Sequence, residues 1–177
     1  FTGAKGVISI SRLLDDYYRS IGKKSIRIPT ILDVKNTKYK KDSGELQGKK
    51  HIVFAGNLGG TKELMEPIFK ALLSREQYRN AIILDIYGPS KKEIIENIGG
   101  NISLLTLLDN TVILHGRVPQ EKVSEVLYQS DYLIFVRPSR RSSDAGFPTK
   151  FAESMAVGTP VITNNTGDIG LYLRDSI

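Results

Sequence analysis

Residues 144–163 read DAGFPTKFAESMAVGTPVIT, and they say more about the fold than any other part of the chain. A glycine and a proline interrupt the chain before a run of small and apolar residues, which predicts a loop followed by a helix over Lys150–Val157. Gly158 suits the end of that helix, and the β-branched residues that follow predict a strand over Val161–Thr163. A helix that begins after a glycine-bearing loop presents free backbone N–H groups and a positive dipole end, which a bound phosphate requires.

One carboxylate, Glu153, lies inside this otherwise small and apolar helix. Its neighbours Ala152, Met155, Ala156 and Val157 can pack against a sheet, so we expect the helix to be largely buried. Because burial of an unpaired charge is costly, Glu153 needs polar partners. The hydroxyl pair of a sugar is one such partner.

The rest of the chain predicts strands and helices in alternation. Residues 5–28 predict a strand, an amphipathic helix and a second strand. Further strands are predicted at Ile52–Ala55, Ile82–Tyr87, Val112–Leu114, Tyr132–Val136 and Val161–Thr163, with helices at Glu63–Leu73, Lys91–Ile98, Gln120–Tyr128 and Lys150–Val157. This alternation is typical of the α/β class and predicts a doubly wound parallel sheet with right-handed crossovers.

The strand order 3-2-1-4-5, usual for such a sheet, makes the first and fourth of these five strands neighbours, and ligands bind beyond their carboxyl ends. The loops at that point are residues 56–62, GNLGGTK, and residues 137–148, RPSRRSSDAGFP. Both contain glycines, which let a backbone approach an anion closely, and cations, which can pair with a diphosphate. Topology and chemistry therefore indicate the same site.

The composition is that of a globular domain, with 40% hydrophobic and 25% charged residues among 177. There is no cysteine, and the two histidines have no carboxylate cluster nearby in the sequence, so we expect no disulfide and no metal site. The net charge of +6 suits an anionic ligand or an anionic membrane surface. Because the basic residues are spread out rather than interleaved with aromatic residues on one face, we expect no nucleic-acid partner.

The segment at residues 144–163 resembles the donor-site signature of retaining GT-B glycosyltransferases of family 4, roughly E-G-F-x-x-x-x-x-E followed by M-A-x-G-x-P-V-I. The matching residues are Gly146, Phe147, Glu153, Met155, Ala156, Gly158, Pro160, Val161 and Ile162. The first glutamate of the pattern falls on Ala145, which departs from it.

The loop at residues 56–62 is similar to the family's G-R-L-x-x-x-K pattern, whose arginine and lysine grip the donor diphosphate. The matching residues are Gly56, Leu58 and Lys62. Asn57 stands at the arginine position, so one of the two expected cations is missing. We expect an arginine of the facing loop to replace it: Arg137, Arg140 or Arg141.

Loop chemistry and resemblance together assign catalytic roles to Lys62 and Asp144 and donor binding to Gly56, Asn57, Gly59, Gly60, Gly88, Arg117, Val118, Arg137, Gly146, Phe147, Pro148, Thr149 and Glu153. The resemblance implies that Glu153 binds the ribose hydroxyls and that the loops holding Gly88 and Arg117 surround the base. Either Asp144, one residue before Ala145, or the backbone N–H groups of Gly146 and Phe147 are expected to contact the transferred sugar.

The implied reaction moves a sugar from a nucleotide-diphosphate donor to a glycan or lipid-linked acceptor, with retention and with neither a metal nor a cofactor. It implies surface polysaccharide or lipopolysaccharide synthesis in the cytoplasm, with peripheral contact at the inner membrane surface. Residues 1–34 would be the end of the acceptor domain and the start of the linker, residues 35–50 the linker, and residues 51–177 the nucleotide-sugar donor-binding domain. Because the chain begins with Phe1, we expect a piece of a longer protein. Because the resemblance puts the acceptor side of the cleft in another domain, we expect this piece to be inactive alone.

Other functions stay open. A non-catalytic nucleotide-sugar-binding module would account for the departures at Ala145 and Asn57. A sugar 2-epimerase of the same GT-B fold needs a cleft rich in carboxylates and histidines, which this chain does not supply but the other half of such a fold could. A flavodoxin-like signalling domain needs an acidic pocket after the first strand, where this chain has glycines and a lysine.

Overall fold

The computed structural model describes residues 3–32, 48–59 and 62–173. Its strands are β1 Val7–Ser9, β2 Ser25–Arg27, β3 Lys50–Ala55, β4 Ile82–Tyr87, β5 Val112–Gly116, β6 Tyr132–Phe135 and β7 Val161–Thr163. Its α-helices are α1 Arg12–Ser20, α2 Glu66–Leu73, α3 Glu76–Ala81, α4 Lys91–Asn97, α5 Ile102–Thr106, α6 Gln120–Gln129, α7 Arg141–Ala145 and α8 Thr149–Ala156, and a 3-10 helix follows at Gly167–Leu171. No helix in the described part of the chain has the length and apolar character needed to cross a membrane.

Five parallel strands form the main sheet in the order β5-β4-β3-β6-β7. Numbered from β3, this is the predicted order 3-2-1-4-5, so the doubly wound α/β fold is confirmed. The strands β1 and β2 form a separate parallel pair around α1, as predicted for the beginning of the chain.

The core lies on both faces of the main sheet. Val53 and Phe54 alternate in β3 and are each fully buried, because helices cover the two faces. Phe69 of α2 and Leu127 of α6 are buried members of the same apolar cluster. A strand covered on both sides needs apolar residues at every position, which explains the continuous run Ile-Val-Phe-Ala at residues 52–55.

Local sequence sets several helix ends. The side chains and backbone N–H groups of Ser90 and Glu93 form the predicted reciprocal capping box at the start of α4. The helix predicted from Glu63 begins instead at Glu66, so Pro67 lies in the first turn, where its missing N–H leaves no hydrogen bond unmade. Gly158 follows α8 with a φ of 78°, the left-handed conformation expected after a helix.

The burial expected for α8 is wrong at Met155, which is 55% exposed. The helix buries Phe151 and Ser154 instead. These two residues are three apart and therefore share a face of the helix, whereas Met155 lies one step further around it. Fewer residues of α8 are therefore buried against the sheet than its small and apolar composition suggested.

The beginning of the chain contacts the end of the described chain. The carboxylate of Asp168, in the 3-10 helix, accepts a hydrogen bond from the backbone N–H of Arg12 at 2.8 Å and pairs with the Arg27 guanidinium at 2.9 Å. The Ser11 hydroxyl donates to the carbonyl of Ala145 at 2.8 Å. Of the linker expected at residues 35–50, residues 35–47 lie outside the described residues, and Lys50 already belongs to β3.

Candidate functional site

The floor of the site is built where β3, β4 and β5 end. The Gly56 N–H donates to the Tyr87 carbonyl at 3.0 Å, and the Gly88 N–H donates to the Gly116 carbonyl at 2.7 Å. Gly88 has a φ of 109°, and a Cβ there would overlap the carbonyl oxygen of Gly56. The two glycines therefore bring neighbouring strand ends into direct backbone contact.

A first cavity of about 350 Å³ opens above this floor. Its lining residues are Gly56, Asn57, Tyr87, Gly88, Glu93, Arg117, Val118, Gln120 and Val123. It contains Gly88, Arg117 and Val118, the three residues assigned to the wall around the base. The Arg117 side chain is exposed and lies 3.6 Å from the Glu93 carboxylate, while Val118, Val123 and the Tyr87 ring supply apolar surface.

A second cavity of about 220 Å³ lies beside the first. Its lining residues are Ala55, Gly56, Asn57, Lys62, Glu63, Gln120, Val123, Thr149, Lys150 and Glu153. Four residues, Gly56, Asn57, Gln120 and Val123, line both cavities, so the two form one cleft. The structure thereby brings Lys62, Thr149 and Glu153 together, as the sequence suggested.

Asn57 lines both cavities and makes a hydrogen bond within its own loop. Its side-chain oxygen accepts a hydrogen bond from the Gly59 N–H at 2.9 Å, a local turn typical of asparagine. Lys62 is exposed, and its N–H donates to the Leu58 carbonyl at 3.0 Å. Gly60 lies outside the described residues.

A buried ion pair that the sequence did not predict lies in the wall of the second cavity. The ammonium of Lys150, in the first turn of α8, pairs with the carboxylate of Glu63, and the two side chains are 13% and 2% exposed. The same ammonium lies 4.6 Å from the centre of the Phe54 ring and 5.6 Å from that of Phe135. A Cβ at Gly56 would lie 2.5 Å from the Lys150 nitrogen, so the lysine fits there because Gly56 has no side chain.

Electrostatics oppose the charge on Lys150. Burial lowers its pKa, Glu63 acts in the opposite direction, and the neighbouring cations Lys62 and Arg137 lower the pKa further. The partner of Lys150, Glu63, is 87 residues away in the sequence. No sequence pattern links the two residues, so their ion pair could not be predicted.

The arginines expected to replace the missing cation differ in position. Arg137 is 5% exposed and donates to the Ser143 carbonyl at 3.2 Å, and burial lowers its pKa. Its Nε has no hydrogen-bond partner among the residues that the structure describes. Arg140 and Arg141 are exposed at the start of α7.

The remaining predicted residues lie around α7 and the start of α8. Asp144 accepts a hydrogen bond from the Gly167 N–H at 2.9 Å through one carboxylate oxygen. The Phe147 ring packs edge-to-face against Phe151 and Tyr172, with centres 5.8 and 5.5 Å apart. Gly146 and Pro148 complete the turn into α8, whose first N–H groups receive no side-chain cap.

Both histidines contact one carboxylate, which the sequence analysis did not foresee. Asp85 in β4 is hydrogen-bonded to His51 Nδ1 at 2.8 Å and to His115 Nε2 at 2.7 Å. The His115 ring stacks on Tyr87, which lines the first cavity, at 4.0 Å between centres. Burial, with Asp85 adding to it, raises the pKa of Tyr87. Among the described residues, no three histidines, aspartates or glutamates come together as they would to hold a metal ion.

The chain matches one family model, and several solved structures have a similar fold. The family model described as "Glycosyl transferases group 1" matches residues 35–176. No curated protein matches the chain at a significant level.

Three solved structures illustrate the similarity of fold. HepE of Anabaena, in complex with UDP-glucose, has a TM-score of 0.72 and 14% identity, covering 98% of this chain and 48% of HepE. Sucrose-phosphate synthase of Thermosynechococcus elongatus has a TM-score of 0.64 and 18% identity, covering 97% and 43%. WaaG, a glycosyltransferase involved in lipopolysaccharide biosynthesis, has a TM-score of 0.66 and 16% identity, covering 93% and 45%. The chain therefore spans about half the length of these proteins.

Proposed function

Because the chain belongs to the glycosyl transferases group 1 family, we propose that its cleft binds a nucleotide-diphosphate sugar and that the protein transfers the sugar with retention, without a metal or other cofactor. The five-stranded sheet has the architecture of the Rossmann-like domain of GT-B proteins. We propose residues 51–177 as the donor-binding domain, with the acceptor side of the cleft supplied by a preceding domain.

The two-part cleft is the observation that carries this proposal. Its larger part has apolar walls at Tyr87, Val118 and Val123, which suit a flat base. Its smaller part holds Lys62, Lys150 and the start of α8, which suit a diphosphate. A nucleoside diphosphate has the same two-part character, with a flat aromatic base at one end and negative charge at the other.

Transfer requires the bond between the sugar and the diphosphate to break. Negative charge then develops on the departing diphosphate oxygen, and groups that stabilise this charge lower the barrier. Lys62 and the uncapped N–H groups at the start of α8 are the groups on this chain that we assign to that task. Glu153, which lines the same part of the cleft, would accept hydrogen bonds from the ribose hydroxyls.

The acceptor is proposed as a glycan or a lipid-linked glycan, within polysaccharide or lipopolysaccharide synthesis. WaaG, which has a similar fold, acts in lipopolysaccharide biosynthesis. The net charge of +6 is compatible with a cytoplasmic protein that works at an anionic membrane surface.

Calorimetric titration of the chain with UDP, GDP and their sugar conjugates tests donor binding. We expect selective binding of one nucleotide and a loss of about tenfold or more in affinity for Glu153→Ala and Lys62→Ala, since each removes a charge-assisted hydrogen bond. Lys70→Ala is the matched control, because Lys70 is exposed on α2 and pairs only with Glu66 among the described residues. If no nucleotide bound to the unmodified chain, or if the control lost as much affinity as Lys62→Ala, the donor site would not be where we put it.

A non-catalytic nucleotide-sugar-binding module is the second candidate. Asp144, the carboxylate nearest to the substituted position Ala145, already accepts a hydrogen bond from the backbone of Gly167. Nucleotide-sugar binding without transfer or hydrolysis, measured on a protein that includes a preceding acceptor domain, would favour this candidate over the transferase.

A further inference from the structure

We propose that Lys150 is the second cation of the diphosphate site and that it exchanges Glu63 for the donor diphosphate when a nucleotide sugar binds. This inference rests on the proposed donor-binding function and names the residue that replaces the missing arginine. From the sequence, Arg137, Arg140 or Arg141 was expected in that role.

The position of Lys150 places its charge in the part of the cleft proposed for the diphosphate. Its side chain lines the smaller cavity together with Lys62, and its nitrogen lies directly against Gly56, at the loop where Asn57 stands in place of a cation. The Asn57 side chain is occupied by the Gly59 N–H within the loop itself. Lys150 therefore supplies positive charge to this loop from the opposite side.

Lys150 also lies where a cation is disfavoured. A cation in the first turn of a helix is repelled by the positive end of the helix dipole, and α8 has no acidic residue in its first turn to offset this. Lys150 is also buried among aromatic rings, where a charged group loses its hydration. Violations of this kind concentrate at functional sites.

Neighbouring cations also repel the charge on Lys150. Lys62 and Arg137 both act on Lys150 as like charges, while Glu63 is the carboxylate that acts on it. Because Asp144 acts on Arg137 in turn and Glu153 lines the same cavity, the nearby carboxylates do not outnumber the cations, and an additional anion would relieve the repulsion on Lys150. A bound diphosphate would add two or more negative charges beside the uncapped N–H groups of α8.

The arrangement also explains why Glu63 is buried. Its side chain is 2% exposed and holds the Lys150 ammonium at the wall of the cavity before a nucleotide arrives. Lys150 is the residue that touches the diphosphate, and Glu63 is the counterion that it leaves. Arg137, on which Glu63 also acts as an opposite charge, remains beside that carboxylate.

The test compares four variants, Lys150→Met, Glu63→Gln, the double variant with both substitutions, and Lys70→Met as a matched exposed lysine. Each is titrated with the preferred nucleoside diphosphate, its monophosphate and the free nucleoside. We expect Lys150→Met to weaken diphosphate binding about ten- to a hundredfold and nucleoside binding less than about twofold. Glu63→Gln should bind the diphosphate as tightly as the unmodified chain or more tightly, because a competing carboxylate is gone.

Removal of Lys150 alone leaves buried Glu63 without its hydrogen-bond partner and with no bound diphosphate to offset the loss, which can unfold the chain. The double variant removes both charges and is expected to fold while still losing the preference for diphosphate over nucleoside. If the double variant also unfolds, the Glu63→Gln variant alone tests the proposal. Weaker diphosphate binding by Glu63→Gln would contradict the exchange of Glu63 for the diphosphate.

A purely structural ion pair predicts a different pattern. Lys150→Met and Glu63→Gln would then lower the affinity for diphosphate and nucleoside by equal factors, which would overturn the proposal. Undiminished diphosphate binding by Lys150→Met would also overturn the role proposed for Lys150, but it would not contradict the proposed donor site. Failure of the unmodified chain to bind any nucleoside diphosphate would instead refute the proposed function itself.

Discussion

Single residues define the floor of the cleft, and Gly88 is the most constrained of them. Its φ of 109° is costly for any residue with a side chain, and its Cβ would overlap the Gly56 carbonyl oxygen. Replacement of Gly88 must therefore displace the Gly56 loop, with consequences for both cavities.

Gly88→Ala is expected to lower the free energy of unfolding by about 2–4 kcal/mol and to weaken nucleotide binding at least tenfold. Gly99→Ala is the matched control, since Gly99 also has a positive φ, of 65°, but nothing within 4 Å of an added Cβ. Urea denaturation and calorimetry measure the two effects. Equal destabilisation in both variants, with nucleotide affinity unchanged, would mean that the contact with Gly56 does not matter.

At the scale of elements, α4 owes its start to the reciprocal hydrogen bonds of Ser90 and Glu93. Hydrogen bonds from Ser90 hold the pKa of Glu93 below its usual value of 4.5. The backbone N–H of Ser90 has the larger effect, and its hydroxyl the next. A carboxylate whose pKa is lower in the folded chain stabilises the fold above its unfolded pKa, and this contribution is lost as pH falls through the folded pKa.

We therefore expect the unfolding midpoint in urea to fall more steeply below about pH 4.5 in the unmodified chain than in Glu93→Gln. Asp15, whose pKa is also lowered, by hydrogen bonds from Ser25 and Arg19, contributes in the same acidic range. Asp15→Asn therefore serves as a parallel variant. Identical pH profiles for Glu93→Gln and the unmodified chain would exclude a contribution from the capping box.

At the scale of the whole molecule, Asp168 joins the first structural unit to the end of the described chain. The unit β1-α1-β2 contacts the 3-10 helix and α7 through Arg12, Arg27 and Ser11. Because Ser11 holds the carbonyl of Ala145, this junction also fixes the loop before α8.

Asp168→Asn is expected to lower the free energy of unfolding by about 1–3 kcal/mol, because the Arg27 guanidinium loses its ionic partner. Hydrogen exchange should accelerate in β1 and β2 and remain slow in β3 and β6. Asp109→Asn, at an exposed turn, is the control. Unchanged protection of β1 and β2 would show that other contacts hold the unit.

The sequence predicted the parts of the fold that depend on local pattern. Apolar β-branched runs identified the five strands, and glycines at their ends identified the cleft. The short helices α3, α5 and α7 were missed because none has enough turns to produce an apolar periodicity. Contacts between distant residues, such as Lys150 with Glu63, have no local signal at all, so the most unusual charge of the cleft was identified only from the structure.

The contacts of Asp85 with His51 and His115 affect how the sheet assembles. Strands made of isoleucine, leucine and valine bury similar surface whether they align correctly or slip past one another, so apolar contacts alone discriminate weakly between alignments. Slippage of β4 by one residue would turn Asp85 to the opposite face and leave both imidazoles without it. Misaligned intermediates therefore lose these two hydrogen bonds, which favours the native alignment of β3, β4 and β5. The same alignment sets the positions of the strand ends that form the cleft.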